Sequence, residues 1–402
     1  MKFDLDRSVT RQDALRLMKE NWKFTPACEL VSLADAAGRV TAEDIFSRNT
    51  LPVFRASCFD GIAVNSACFR DGMPDTSAWK QGRDFVRADT GDDFPDAFDT
   101  VIAVEDVEFT SEDGVRFRDG FVYDGEVTVD PAGTIVSRGS LLVPAHTRIT
   151  PEVVVLLAIG GAAWVPVLRK LRVAFLPTGD ELVPAGLVPQ RGQNVEANSY
   201  MVAALLRQWG AEVLCHPVVP DCAADLEAAL DAALVSCDMV LINGGSSRGE
   251  ADFNSRMIER RSTFFRHGVR TVPGRPVGMA IVEGKPVVNL PGPVAAAYLA
   301  SHWLVCGLVH HYYGLPVPIL PRVRARLGCE MRKRPGFELV ARVALQKEGD
   351  CYTATPVNWD VDLVDMLRRT DGFVTVPAES GPLPAGSEVE VELLKGPECI
   401  GR

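Results

Sequence analysis

The sequence predicts a multidomain α/β protein: a doubly wound, mainly parallel sheet, an all-β insertion, a helical linker domain and a C-terminal β-barrel. Three observations lead there. Between Arg172 and Leu315, apolar runs alternate with helix-like stretches, the rhythm of strand–helix units that pair in parallel. From Thr50 to Gly139, short apolar runs are separated by Gly, Asp and Pro turns, with no helical period. From Arg322 to Leu394 the strand pattern returns, as FELVARVAL, FVTVP and EVEVELL. A chain of 402 residues has room for several such domains.

Thr10 to Trp22 reads as the first helix, because Thr10 can cap it, Asp13 is acidic in its first turn, and Ala14, Met18 and Trp22 recur at helical spacing. The insertion follows, with FVRA, TVIAVEDV, VRF and GEVTV as strands, and Pro151 to Gly160 is a short apolar helix returning the chain to its first element. In the α/β region RVAFL is a buried strand, Asn198 caps a helix that stops at Gly210, and AEVLCHPVV is a strand. Asp221 opens a helix through Val235, DMVLIN is a strand, and a glycine-rich turn leads into another helix. VGMAIV and PVVNL are further strands, and Val294 to Val309 is a closing helix. In the tail, DVDLVDMLRR is a short helix. The expected domains are 1–45 with 140–170 (helical linker and dimerisation), 46–139 (β-rich insertion), 171–318 (α/β) and 319–402 (β-barrel).

A formal charge of -11 argues against a general nucleic-acid binder, whose affinity comes from a positive face. No apolar stretch is long enough to span a bilayer, and the charged start, MKFDLDRSVTRQDALRL, lacks a signal-peptide block. The expectation is a cytoplasmic protein that handles small molecules. Positive charge is concentrated locally, with Arg248, Arg256, Arg260, Arg261, Arg266, Arg270 and Arg275 facing only Glu250, Asp252 and Glu259. For the middle arginines a solvated helix face explains the run equally well. The ten cysteines include no CxxC pair, so the expectation is reduced core thiols and no structural zinc.

The chemistry gathers in four loops of the α/β region. DMVLIN runs into Gly244, Gly245, Ser246, Ser247, Arg248, Gly249, Glu250, Ala251 and Asp252 before a helix. Glycines let backbone N–H groups approach an anion, and the helix start adds partial positive charge. It is neither a Walker loop nor GxGxxG, and a tight strand–helix turn is its plain structural reading. The second loop is Pro177, Thr178, Gly179, Asp180, Glu181 and Leu182, the third Pro273, Gly274, Arg275 and Pro276, the fourth Leu290, Pro291, Gly292 and Pro293. In a parallel sheet such ends share one rim, so the loops can form one pocket. Asp180, Glu181, Glu250 and Asp252 would set carboxylates beside an anion, which requires Mg²⁺ as the bridge. Singly, Asp180 and Asp252 also read as helix caps.

Together, TGDEL, GGSSRGEAD, PGRP and LPGPV resemble the molybdopterin molybdotransferase family, MoeA and the gephyrin E domain. Leu51 to Val64, LPVFRASCFDGIAV, is similar to that family's LPPFDNSAMDGYAV, and Ala88, Asp89, Thr90 and Gly91 with Pro95 and Asp99 resemble its TGAxxPxGADAVV. The resemblance covers essentially the whole chain. It implies a four-domain subunit in a homodimer that binds adenylylated molybdopterin, releases AMP with Mg²⁺, and inserts molybdate or tungstate into the dithiolene. It implies an upstream adenylyltransferase and a downstream molybdoenzyme as partners. By motif position Asp60, Thr90, Glu181 and Asp252 carry catalysis, with Asp60, Glu181 and Asp252 as metal ligands. Ser246, Ser247, Arg248 and Gly249 lie at the phosphate end of the pterin, among the cofactor-binding set from Thr178 to Pro293. Several positions depart from the pattern. Val272 stands where a lysine is expected, LPGPV lacks the usual Asn, Ser140 follows Gly139 where acids are expected, and Trp359, Asp360, Val361 and Asp362 replace a Gly-Ser-Gly turn. They motivate a second expectation, a pterin-binding or carrier paralogue that is non-catalytic or altered in substrate.

Overall fold

A computed structural model describes residues 8–245, 253–349, 351–357, 363–394, 396 and 400. Contacts divide the chain into two compact units, residues 28–168 and residues 1–27 with 169–402.

The 28–168 unit is the β-rich one. Its centre is a three-stranded antiparallel sheet in which Gly61–Val64 lies between Phe85–Ala88 and Thr100–Ala103. The hairpin Val107–Phe109 with Val115–Phe117 packs against it through Ile62, Val64, Phe85 and Ile102. Of the GEVTV run, only Val129 is in a strand, Val129–Asp130, paired with Ala56–Ser57. The helix Pro151–Ile159 starts as its sequence dictates: Thr150 accepts from the Val153 N–H, and proline fills the first turn, where no N–H is needed. Cys28–Ser32 pairs with Trp164–Leu168 beside this helix. Gly61 allows the central strand to pair closely, since a Cβ there would lie 2.0 Å from the Ile102 carbonyl oxygen. Gly61→Ala is expected to cost about 2–4 kcal/mol of stability, read as a lowered chemical midpoint.

The second unit holds a six-stranded sheet in the order Glu212–Cys215, Arg172–Pro177, Met239–Asn243, Lys285–Leu290, Gly278–Val282, Ser262–His267. The first four run parallel, Gly278–Val282 runs against them and Ser262–His267 runs against Gly278–Val282, so the sheet is mainly parallel, as the alternation predicts. Ser262–His267 was not expected as a strand, because its arginine-rich approach reads as helix. Asn198–Gln208, Ala223–Ser236 and Phe253–Arg261 are the connecting helices. Ala197, not Asn198, takes the cap position, and Asn198 is the first helical residue. The helix expected from Asp221 begins at Ala223, after Cys222. Leu176, Leu230, Val240, Ile242, Ile258 and Val287 form part of one core between sheet and helices.

The first helix, Arg11–Asn21, is capped by Thr10, which accepts from the Asp13 N–H at 3.0 Å, and it buries Ala14 and Met18. It packs on Cys306–Tyr313 and on the π-helical turn Ser301–Val305, which joins that helix to Val294–Ala300. His302 in that turn meets Trp209 edge-on at 5.6 Å and Tyr298 at 4.5 Å. Burial pushes its imidazole down to about 4 from 6.5. The charged form is therefore disfavoured in the fold. The His302 contribution is complete above pH 6.5 and is lost as pH falls toward 4, about 3 kcal/mol over the window. His302→Phe should remove that slope in denaturant unfolding measured between pH 7 and pH 4.

The tail closes into a five-stranded barrel: Glu338–Glu348, Cys351–Pro356, Arg322–Leu327, Glu388–Leu393 and Gly372–Val376, the last pairing back to the first. Val343, Leu345, Ala354, Val374 and Val391 fill it. The short strand Thr271–Val272 adds in parallel to Glu338–Leu339, tying the Pro273 turn to the barrel. Of the segment read as a short helix, Leu363–Arg369 is helical. The cysteines correct one expectation. All those described are free, but only Cys237 and Cys306 are buried, while Cys28, Cys215, Cys222, Cys329 and Cys351 are exposed. Apolar neighbours in sequence did not report on burial at strand ends. Among the described residues no helix is long and apolar enough to cross a membrane.

Candidate functional site

The carboxyl ends of Arg172–Pro177 and Met239–Asn243 lie side by side, and the loops leaving them open onto a cleft of about 910 Å³. The walls include Thr178, Gly179, Glu181, Gly244, Gly245, Gly292 and Pro293, so three of the four loops meet here. The Pro273–Gly274–Arg275 turn leads into Gly278–Val282, whose Gly278 pairs with Asn289, so it reaches the same edge of the sheet. Pro273, however, lines a separate cavity of about 470 Å³. The Arg275 carbonyl accepts from the Val269 N–H at 2.9 Å.

The floor of the cleft is held by amides. Thr178 donates its N–H to the Asn243 carbonyl at 2.9 Å. Asn243 donates Nδ2 to the Pro291 carbonyl at 2.7 Å, and Asn198 donates Nδ2 to Asn243 Oδ1 and to the Gly292 carbonyl, both at 2.8 Å. These bonds tie three loops into one frame. Gly244 and Gly245 have φ of +115° and +51°, and Cβ atoms there would lie 2.6 Å from the Thr178 carbonyl oxygen and 2.4 Å from Asn254 Nδ2. Only glycine fits both positions, so the backbone faces the cleft bare. Ser246, Ser247, Arg248, Gly249, Glu250 and Asp252 lie outside the described residues, as do Asp360 and Asp362.

The lip of the cleft is acidic. Asp180 accepts from the Asp221 N–H at 3.1 Å, and Glu181 and Asp221 both line the opening. Burial, together with the nearby Asp180 and Glu181 carboxylates, holds the Asp221 carboxyl above its ordinary value. Among the described residues no three His, Cys, Asp or Glu side chains are grouped so that they could hold a metal ion. An all-carboxylate lip supplying part of a coordination sphere suits Mg²⁺, which takes one or two carboxylates and leaves its other positions to phosphates and water.

Asp60 and Thr90 belong to the 28–168 unit, where the structure brings them together. Thr90 donates both its N–H and its hydroxyl to Asp60 Oδ1 at 2.7 Å. These two bonds hold the Asp60 carboxyl below its ordinary value.

Sequence reasoning missed four features. Glu196 and Asn198, each 7% exposed, form a wall of the cleft, and Asp221 joins its lip. Leu363 and Met366 form an apolar side. Arg342, 6% exposed, lines the second cavity with Pro273, Arg332 and Met366. Its guanidinium reaches only the Met366 sulfur at 3.3 Å and the Ala295 carbonyl at 3.4 Å, with Phe373 6.0 Å away, and no ion pair forms with it among the described residues. Burial lowers its affinity for a proton. A buried cation without a carboxylate is costly unless an anion completes it. Asn243, a polar residue ending an apolar strand, was the one signal of this frame legible beforehand.

Comparison with known proteins places these elements. Residues 9–161 match the MoeA N-terminal region (domain I and II), residues 174–311 match a "Probable molybdopterin binding domain", and residues 324–394 match the MoeA C-terminal region (domain IV). A molybdopterin molybdenumtransferase of Haemophilus influenzae is 28% identical, over 96% of this chain and 98% of that protein. A molybdopterin molybdenumtransferase of Bacillus subtilis is 26% identical, over 91% of this chain and 90% of that protein. The crystal structure of a molybdopterin biosynthesis moeA protein from Pyrococcus horikosii is similar with a TM-score of 0.79 and 28% identity, covering 97% of this chain and all of that one.

Proposed function

The chain belongs to the MoeA family, and from that premise we propose that it is a molybdopterin molybdenumtransferase, a transferase of molybdenum cofactor biosynthesis that releases AMP from adenylylated molybdopterin and inserts molybdate. The observation that carries this reading is the meeting of a bare glycine turn and an acidic lip in one cleft at the strand ends. Gly244 and Gly245 let backbone N–H groups approach the phosphates closely. Thr178, Gly179, Pro291, Gly292 and Pro293 shape the cleft around the ligand, and Ser246, Ser247, Arg248, Gly249 and Glu250, which follow Gly245 in sequence, would bind its phosphate end by motif position. Glu181 and Asp221, with Asp180 behind them and Asp252 as a further carboxylate, would hold Mg²⁺, and Asp60 is a metal ligand by motif position. Bound there, Mg²⁺ would neutralise phosphate charge and favour departure of AMP. Thr90 keeps Asp60 ionised and oriented. Arg342, with Pro273, Gly274 and Arg275 at the same edge, supports assignment of the second cavity to the oxyanion substrate, because a desolvated guanidinium favours a dianion.

In this reading the enzyme is a cytoplasmic homodimer built from the four domains set out above. An adenylyltransferase supplies its substrate, and an apo-molybdoenzyme receives its product. Mass spectrometry of small molecules copurifying with the protein tests the pterin assignment. A pterin is expected with the wild type and lost in Gly244→Ala, and its absence from the wild type would count against the reading. The acidic lip has its own test. Raised above 3.8, the Asp221 carboxyl destabilises the fold as pH rises through that window. Asp221→Asn should therefore raise the thermal midpoint slightly, on the order of 1 °C, without Mg²⁺ and abolish Mg²⁺-dependent stabilisation.

A further inference from the structure

The geometry points to the Glu196–Asn198 wall as the seat of the pterin's ring edge, with Asn198 Oδ1 accepting from the adjacent 2-amino and N3–H donors. This deepens the reading above and rests on it.

The Asn198 amide has a fixed orientation. Asn243 gives its Nδ2 to the Pro291 carbonyl, so its Oδ1 must face Asn198, and Asn198 must answer with Nδ2. The same Nδ2 also reaches the Gly292 carbonyl. Turning the amide over would set its oxygen against two acceptors. Asn198 Oδ1 is therefore left buried in the cleft wall, and it has no hydrogen-bond partner. An acceptor so placed is completed by a donor from a ligand.

Its surroundings select the kind of donor. Glu196, equally buried, accepts from the Ser199 N–H at 2.9 Å and from the Ser199 hydroxyl, so the helix start is already answered by a carboxylate. The side chains of this wall offer acceptors and negative charge, which repel a phosphate. Val195, Ala197, Val294 and Ala295 line the same cleft and give a flat ring apolar surface. A 2-amino-4-oxo pyrimidine edge presents two neighbouring donors to such a wall. Adenine, the other ring of the substrate, presents one amino group flanked by acceptors and fits it less well.

The test uses the full-length protein and two fluorescent probes, 6-hydroxymethylpterin pyrophosphate and its lumazine counterpart, in which a 2-oxo acceptor replaces the amino donor. The wild type should bind the pterin at least about tenfold more tightly, since a site built for a donor rejects an analogue lacking it. Asn198→Ala should bring the ratio near one. AMP should not displace the pterin probe. Equal binding of the two probes by the wild type would overturn the inference and leave the family reading standing. So would an unchanged ratio in Asn198→Ala or displacement by AMP. Failure of the wild type to bind either probe would overturn both.

Discussion

Arg342→Met is expected to abolish metal insertion while leaving the protein as stable as before or more stable, by roughly 1–3 kcal/mol. The two effects have one cause. Arg342 is almost wholly buried, and its described contacts are a thioether, one long carbonyl bond and an aromatic ring. Desolvation of the cation is therefore poorly repaid in the fold alone. Methionine fills similar volume and carries no charge, so the chain gains what burial cost it. The second cavity then loses its buried positive group, and a dianion has little reason to enter. Equilibrium unfolding and molybdate binding, measured on the same preparation, check both halves. A large loss of stability would show that Arg342 is structural, and unaltered molybdate binding would move the oxyanion elsewhere.

Gly244→Ala is the second large effect. At φ +115° an alanine is strained, and its Cβ would sit 2.6 Å from the carbonyl oxygen of Thr178, a backbone atom that cannot swing away. Relief requires parting the loops after Arg172–Pro177 and Met239–Asn243, which the Thr178 N–H to Asn243 carbonyl bond holds together. The expected result is loss of pterin binding by a factor of a hundred or more, with a stability cost of about 2–4 kcal/mol. Because the clash is at Cβ, every other residue at this position should fail as alanine does. Gly292 offers a control: a Cβ there meets nothing within 4 Å, so Gly292→Ala should be mild.

The sequence made the architecture legible where the local signal and the tertiary outcome coincide. RVAFL, DMVLIN and PVVNL have apolar centres because both faces of their strands are covered, and they became the parallel centre of the sheet. Thr10 and Asp13 marked the first helix through a cap that exists. The loops TGDEL and GG were readable because positive φ and close approach leave only glycine. Ser262–His267 was hidden, since FF among polar residues has no strand period of its own and became an edge strand only through Gly278–Val282. Asn198 read as a cap because Asn is the commonest of caps. Its actual role comes from Asn243 and Gly292, residues 45 and 94 positions away. Arg342 lay in an ordinary strand pattern, where nothing in FELVARVAL tells a buried arginine from an exposed one. Asp221 likewise acquires its raised carboxyl from burial and from Asp180 and Glu181 in another loop. Motifs exposed the glycines of the site, and only the fold exposed its buried polar groups.

The most direct measurement is AMP release from adenylylated molybdopterin by the purified wild-type protein with Mg²⁺, with and without molybdate. The account predicts multiple turnovers of AMP that depend on molybdate and vanish in Glu181→Gln. Tight binding of the adenylylated pterin without molybdate-dependent AMP release would contradict it.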